Sequence, residues 1–319
     1  MSVFISEPKD YCSEAIEIYS THFGDVYLAE VPPHARVKIT ILVVKLRYYI
    51  DEKYIRNFPN LKFIITPTTG LNHISSECCQ RLNIKIYSLK DCKSQIHSVT
   101  STPELTIGLM LSLARKLVRA ANSVTSALAW DREMFRGMQL SSKKLGIVGL
   151  GRVGLQVASV ASSFKMKVLA FDPNVKNEVF EEHQITRFNC LEEMLPKLDI
   201  LSIHASLNEN NYQMIGTKEI SKLKDDCLVI NTARGELVDE AALVDALRKN
   251  KLGGVAVDVL SGEPELESLN KSTLVSGARE GLNIIITPHI GGCTVESMAY
   301  TEIIMAKYAT EAIMNQCIN

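Results

Sequence analysis

Short runs of β-branched and apolar residues recur along the chain with helix-like stretches between them, and this alternation restricts the fold more than any other feature. In the first third the runs occupy residues 3–5, 26–29, 41–44, 63–66 and 84–87. Later they occupy 145–148, 168–171, 200–203, 228–231, 255–257 and 284–286. A strand solvated on one side alternates apolar and polar residues, whereas a strand covered on both sides is apolar throughout, as parallel sheets require. Strands of that kind separated by helices build right-handed βαβ units in an open, doubly wound sheet. Two series imply two sheets, hence an α/β protein of two doubly wound parallel-sheet domains. A length of 319 residues fits two domains better than one.

The seam is expected near residue 100, at His97-Ser98-Val99-Thr100-Ser101-Thr102-Pro103-Glu104. Thr102 suits a helix N-cap, Pro103 the first helical position and Glu104 the positive end of the helix. The helix that follows carries Leu105, Leu109, Leu113, Leu117 and Ala121 on one stripe, with Ile107, Met110, Leu111, Ala114 and Val118 filling much of its remaining surface. A helix apolar nearly all round is buried on more than one side, either as an interdomain core helix or as a subunit interface. Near the other end Thr294 is placed to cap a final helix with Val295, Met298, Ala299, Ile303, Ala306 and Ala309 on one stripe. No further domain is expected after it.

Thirty-five basic residues stand against thirty-six acidic ones, for a net charge of −1, so no global field draws the chain to nucleic acid or an anionic membrane. No apolar run reaches the roughly 18 residues of a bilayer span, and Met1-Ser2-Val3-Phe4 opens no secretory signal, so a cytoplasmic protein is expected. The eight cysteines (Cys12, Cys78, Cys79, Cys92, Cys190, Cys227, Cys293 and Cys317) show neither CxxC nor metal-ligand spacing and read as reduced thiols.

The segment Gly146-Ile147-Val148-Gly149-Leu150-Gly151-Arg152-Val153-Gly154 contains GxGxxG. An apolar run precedes it, and a helix stripe of Val153, Val157, Ala161 and Phe164 follows it. Gly149 allows the tight strand-to-helix turn, Gly151 lets a pyrophosphate reach the backbone, and Gly154 lets helix and strand pack closely. The N-terminus of the helix offers unpaired N–H groups to the phosphates. Asp172 ends the next apolar run and can accept both hydroxyls of an adenosine ribose. It would repel a 2′-phosphate, and Pro173-Asn174 brings no basic residue to relieve that, so NAD is expected rather than NADP.

Three further apolar runs end in polar residues: Asn231-Thr232-Ala233-Arg234-Gly235, Asp258-Val259-Leu260-Ser261-Gly262-Glu263-Pro264 and Thr287-Pro288-His289-Ile290-Gly291-Gly292. The carboxyl edge of such a sheet faces its ligand crevice. Reduction of a 2-oxo acid by hydride needs a planar cation for the carboxylate, which Arg234 offers, and a proton donor for the carbonyl oxygen, which His289 offers. Glu263, if paired with His289, would favour the imidazolium, and Asp258 would hold the nicotinamide amide. Taken singly, each has a plainer reading: a surface ion pair for Arg234, a packing residue for His289, turn or helix caps for Asp258 and Glu263.

In combination these segments resemble the D-isomer-specific 2-hydroxyacid dehydrogenase family over nearly the whole chain. The resemblance rests on Ser101-Thr102-Pro103-Glu104-Leu105-Thr106, Trp130-Asp131-Arg132, the glycine turn from Gly146, the stretch from Asn231 to Glu240, that from Val255 to Pro264, and Thr287 to Gly292. It implies a Rossmann NAD domain, residues 99–290, inserted into a flavodoxin-like substrate domain of residues 1–98 and 291–319. It implies Arg234, Glu263 and His289 as catalytic residues. The implied cofactor set is Gly149, Gly151, Arg152, Val153, Gly154, Asp172, Thr232 and Asp258, with no metal. Thr69, Gly70 and Leu71, together with Arg234, are implied to bind substrate. Lys45 and Arg47 fall near the family's other substrate-facing turn and read either as an anion site or as a solvated pair.

The resemblance also implies a homodimer through the helix from Leu105 to Ala121, a small-molecule substrate, and no nucleic-acid or membrane partner. Leu105 stands where many members have histidine, Ala205-Ser206-Leu207-Asn208 replaces the usual proline-leucine-threonine after His204, and the threonine-rich substrate loop speaks against a simple phosphoglycerate substrate. The expected activity is NAD-dependent interconversion of a D-2-hydroxy acid and its 2-oxo acid. The alternatives are an NAD(H)-responsive regulatory or binding protein on the same scaffold, or a hydrolase that uses bound NAD transiently.

Overall fold

The computed structural model describes residues 1–128, 130–263 and 266–318, without the side chains of residues 127, 266–268, 317 and 318. Pro264 and the Cys317 side chain, both singled out above, lie outside the described residues. The other seven cysteines are free thiols. The chain divides into two compact units, one made of Met1–Val99 with Cys293–Asn319, the other of Thr100–Gly292. Among the described residues no helix is long and apolar enough to cross a membrane.

The first unit holds a parallel sheet of β1 (Ser2–Ile5), β2 (Val26–Leu28), β3 (Ile39–Val43), β4 (Phe63–Thr66) and β5 (Lys85–Ser88), in the order β2-β1-β3-β4-β5. Val3, Ile5, Ile41, Val43 and Ile65 face a cluster closed by Met305, Ala306, Ala309 and Ile313 of the helix Val295–Ile318. Phe4, Leu42, Val44 and Ile64 face the opposite one. Both faces are thus covered, as the unbroken apolar runs require. Thr294 caps the last helix, its hydroxyl accepting from the Ser297 N–H at 3.1 Å. The expected stripe is displaced along that helix, because Val295 is exposed and the buried positions run through Glu302, Met305, Ala306, Ala309 and Ile313.

The second unit holds β6 (Lys144–Val148), β7 (Lys167–Phe171), β8 (Thr186–Phe188), β9 (Ile200–Ile203), β10 (Cys227–Asn231), β11 (Leu252–Val257) and β12 (Ile284–Ile286). All pair in parallel, in the order β12-β11-β10-β9-β6-β7-β8. This is the doubly wound dinucleotide-binding order, with its reversal between β6 and β9. The register aligns the strand ends. Phe171 lies beside Val148, Val148 beside Ile203, Ile203 beside Asn231, Asn231 beside Val257, and Val257 beside Ile286. At about 4.8 Å per strand, six carboxyl ends form one row of roughly 24 Å.

Two local expectations are corrected. β8 carries no apolar run, because Thr186-Arg187-Phe188 is a short edge strand that needs no second apolar face. The stretch after the seam is two helices rather than one. Ser101–Ala114 starts before Thr102, with the Thr100 hydroxyl donating to Glu104 at 2.5 Å. It buries Leu109, Met110 and Leu113 in the second unit's core. Lys116 then takes a left-handed conformation (φ 52°), and Leu117–Ala127 runs on with no buried residue among those described. Periodicity carries the apolar stripe across this break without registering it.

The break sets a prediction with a sign. Lys116→Gly relieves a left-handed lysine and should raise stability by about 0.5–1 kcal/mol, measured by denaturant unfolding. Were the helix continuous, the same change would cost about 1 kcal/mol.

Candidate active site

The glycine turn leaves β6 at Val148. Gly149 has φ +92°, and a Cβ there would lie 2.5 Å from the Ala205 nitrogen, so only glycine allows both the turn and the approach of the β9 loop. A Cβ on Gly154 would lie 2.2 Å from the Gly149 carbonyl oxygen, which keeps the helix Arg152–Ser163 against the strand. That helix therefore buries Gly154, Val157, Ala158 and Ala161, a face rotated from the expected stripe, and Phe164 is exposed. Gly151 differs: a Cβ there meets nothing within 4 Å. The space beside it, at the N-terminus of a three-turn helix, is open to an anionic group. Arg152 and Val153 are half-buried in the first turn, and burial pushes the Arg152 guanidinium down from its ordinary value.

Asp172 follows β7 on the same edge. Its carboxylate accepts from the Leu150 N–H at 2.8 Å and the Asn174 N–H at 2.9 Å, which ties the acid to the glycine turn. At the end of β9 the His204 ring lies 2.8 Å from the Ser202 hydroxyl through Nε2. Its Nδ1 is buried without a partner among the described residues, and burial pushes the ring down to about 3, so it is neutral at neutral pH. Open space beside Gly151 at a helix N-terminus, with an acid at the end of the next strand, fits a dinucleotide.

The loop after β10 is shaped by Asn231, a fully buried residue whose type alone announces no role. Its amide donates to the Arg234 carbonyl at 2.7 Å and accepts from the Ala233 N–H at 3.0 Å. Thr232 is buried, its hydroxyl 2.9 Å from that of Thr106. Arg234 is partly buried and donates to the Ala233 carbonyl. Burial pushes its guanidinium down, against the pull of Glu263 and Glu236, and it stays charged.

Asp258, after β11, is almost fully buried. It accepts from the Thr287 hydroxyl at 2.5 Å, the Ile290 N–H at 2.9 Å and the Gly291 N–H at 2.7 Å. Burial pushes its carboxyl up from the ordinary value, and these donors together with His289 pull it back. Its evident task in the fold is to hold the loop after β12. That loop places His289 at φ +52°, its N–H donating to the Asp258 carbonyl at 2.9 Å. His289 Nδ1 donates to Glu263 Oε1 at 2.6 Å, with the two side chains 29% and 30% exposed. The pairing expected of Glu263 and His289 is therefore made, in the unit that also holds Arg234, Asp258 and the glycine turn.

Thr69, Gly70 and Leu71 belong to the first unit. The Thr68 hydroxyl donates to the Gly70 carbonyl at 2.8 Å, and the N–H groups of Thr69, Gly70 and Leu71 have no acceptor among the described residues. Lys45 is not a solvated cation: its Nζ lies 3.1 Å from the buried Glu302 carboxylate. Glu7, pushed up by burial, accepts the backbone N–H groups of Lys45 and Arg47 at 2.8 and 3.3 Å, and the Arg47 side chain is left exposed.

Residues 107–291 match the family model described as the NAD binding domain of D-isomer specific 2-hydroxyacid dehydrogenases. A D-3-phosphoglycerate dehydrogenase of Methanocaldococcus jannaschii is 31% identical over 86% of this chain, which spans only 50% of that protein. A Staphylococcus aureus protein assigned to the 2-hydroxyacid dehydrogenases is 33% identical over 87% of this chain and 84% of its own length. The crystal structure of a D-lactate dehydrogenase from Aquifex aeolicus, complexed with NAD and lactic acid, superposes with a TM-score of 0.79 at 28% identity, covering 99% of this chain and 96% of that one. The chain belongs to the D-isomer specific 2-hydroxyacid dehydrogenases, a family of NAD-dependent oxidoreductases, and its second unit is their NAD-binding domain.

Proposed function

We propose that the chain interconverts a D-2-hydroxy acid and its 2-oxo acid with NAD. The observation that carries this reading is the 2.6 Å His289–Glu263 pair on the strand-end row that also bears the glycine turn. Bound NAD supplies the hydride acceptor, or as NADH its donor. The helix Arg152–Ser163, with Arg152 and Val153 in its first turn, holds the pyrophosphate at the N–H groups beside Gly151, and Asp172 accepts from the adenosine ribose. Thr232 and Asp258, further along the row, serve the nicotinamide end. Arg234 pairs with the substrate carboxylate through its planar donors. Because His289 Nδ1 is held by Glu263, Nε2 is the free nitrogen, and it gives its proton to the carbonyl oxygen in reduction and takes it back in oxidation. The three unpaired N–H groups of Thr69, Gly70 and Leu71 form a turn suited to a carboxylate and are assigned to substrate.

A homodimer is part of the proposal. The helix Leu117–Ala127 exposes Leu117, Val118 and Val124, and Leu128 and Trp130 beyond it are 91% and 90% exposed. These exposed apolar side chains support an interaction face, on the part of the expected Leu105–Ala121 segment that the core leaves uncovered. The wild type should sediment as a dimer and the double variant Leu128→Asp, Trp130→Asp as a monomer; a monomeric wild type overturns the assignment.

The reaction is tested by NADH oxidation with a panel of 2-oxo acids. Tight NADH binding without turnover would overturn it. His289→Asn should lower kcat about 10²–10⁴-fold with NADH binding intact. Arg234→Ala should raise the KM for the oxo acid about 10- to 100-fold and lower kcat as well, since an ionic hydrogen-bonded contact is lost.

The glycines separate binding from folding. Gly154→Ala forces the Gly149 carbonyl to move and should lower both Tm and NADH affinity. Gly151→Ala meets open space, so Tm should hold while NADH titration shows weakened binding. Unchanged NADH affinity in Gly151→Ala would remove the pyrophosphate from this turn.

A further inference from the structure

Glu240 is the first residue of the helix Glu240–Arg248 and looks from its position like an acid favoured by the helix dipole. Its contacts lie elsewhere. Asp239 caps the helix, accepting from the Ala242 N–H at 3.0 Å. The Glu240 carboxylate reaches two other segments: Oε1 accepts from the Ser261 N–H at 2.9 Å, and Oε2 from the Ser272 hydroxyl, also at 2.9 Å. Ser272 in turn caps the helix Thr273–Arg279. One carboxylate therefore fixes both ends of the excursion that leaves β11 and carries Glu263.

The same loop also packs closely against Gly235, next to Arg234. A Cβ on Gly235 would lie 2.1 Å from the Leu260 carbonyl carbon and 2.2 Å from the Ser261 nitrogen. The loop thus meets both the Gly235 backbone and the Glu240 carboxylate at the Leu260–Ser261 peptide, both from the segment after β10. Beyond this clamp Glu263 has a 3.4 Å contact from the Leu260 N–H and its bond to His289. Gly262, at φ +75°, turns the chain between Ser261 and Glu263.

We propose that Glu240 is a positioning residue for proton transfer: by holding Ser261 it sets the loop so that the Glu263 carboxylate meets His289 Nδ1. This rests on the dehydrogenase reading of the same site. Glu240 acts through Glu263 and touches no reacting atom. Glu240→Gln keeps an acceptor for Ser261 and a polar partner for Ser272, whereas Glu240→Ala releases both.

The full-length protein is tested in two ways. In ¹⁵N-histidine-labelled protein, the hydrogen-bonded Nδ1–H of His289, assigned by its loss in His289→Asn, should persist in Glu240→Gln and disappear in Glu240→Ala. In turnover, Glu240→Ala should lower kcat about 10- to 100-fold, as small misplacements of catalytic groups do, with the KM for NADH unchanged. Added to Glu263→Gln it should cost less than about twofold more, because both changes remove the same pairing. A purely structural Glu240 would lower Tm, keep the proton signal and add its full effect to Glu263→Gln; that result overturns the proposal. If Glu240→Ala does not fold, Glu240→Asp, one methylene shorter, is read in the same way. A wild type inactive on every 2-oxo acid would sink the dehydrogenase reading, while the proton signal still decides whether Glu240 places Glu263.

Discussion

The in-register row of strand ends in the second unit is the constraint from which the site follows. Parallel pairing aligns Phe171, Val148, Ile203, Asn231, Val257 and Ile286, so the loops that begin after them start side by side. The ladder even continues one residue further. Gly149 donates to the Phe171 carbonyl, His204 to that of Val148, Asp258 to that of Asn231 and Thr287 to that of Val257. Residues as distant in sequence as Gly149 and His289 thus share one edge because the backbone hydrogen bonds leave them no other place. A shift of one strand by one residue would exchange the side chains it gives to the clusters on the two faces of the sheet, and the packing of both forbids that.

The row delivers the loops; polar side chains then shape them. Asp258 is a buried carboxylate, costly to leave unsatisfied, and three donors from the loop after β12 meet that cost. Asn231 does the same for the loop of Arg234 through its amide. The Asp258 contacts hold His289 at its positive φ, a conformation that costs a residue with a Cβ some free energy.

Much of this was legible in the sequence, and the exceptions share a cause. The apolar runs marked the two-faced strands, and the glycine spacing marked the nucleotide turn, because burial and close packing dictate residue type directly. Thr186–Phe188 was silent because an edge strand is not held to that rule. The break at Lys116 was silent because no glycine or proline marks it, and the stripe of leucines continues past it. Arg234, Glu263 and His289 were recognisable as chemistry at strand ends. Asn231 and Glu240 were not: each acts on a peptide group, Asn231 within the loop it begins and Glu240 in the loop after β11, and a donor that is a peptide N–H leaves no trace in residue identity.

The partial exposure of the His289–Glu263 pair bears on how a turnover ends. After giving up a proton in the proposed reduction, the imidazole is recharged from bulk water directly. No chain of buried groups has to conduct it inward, and buffer acids of suitable size have access to the same ring.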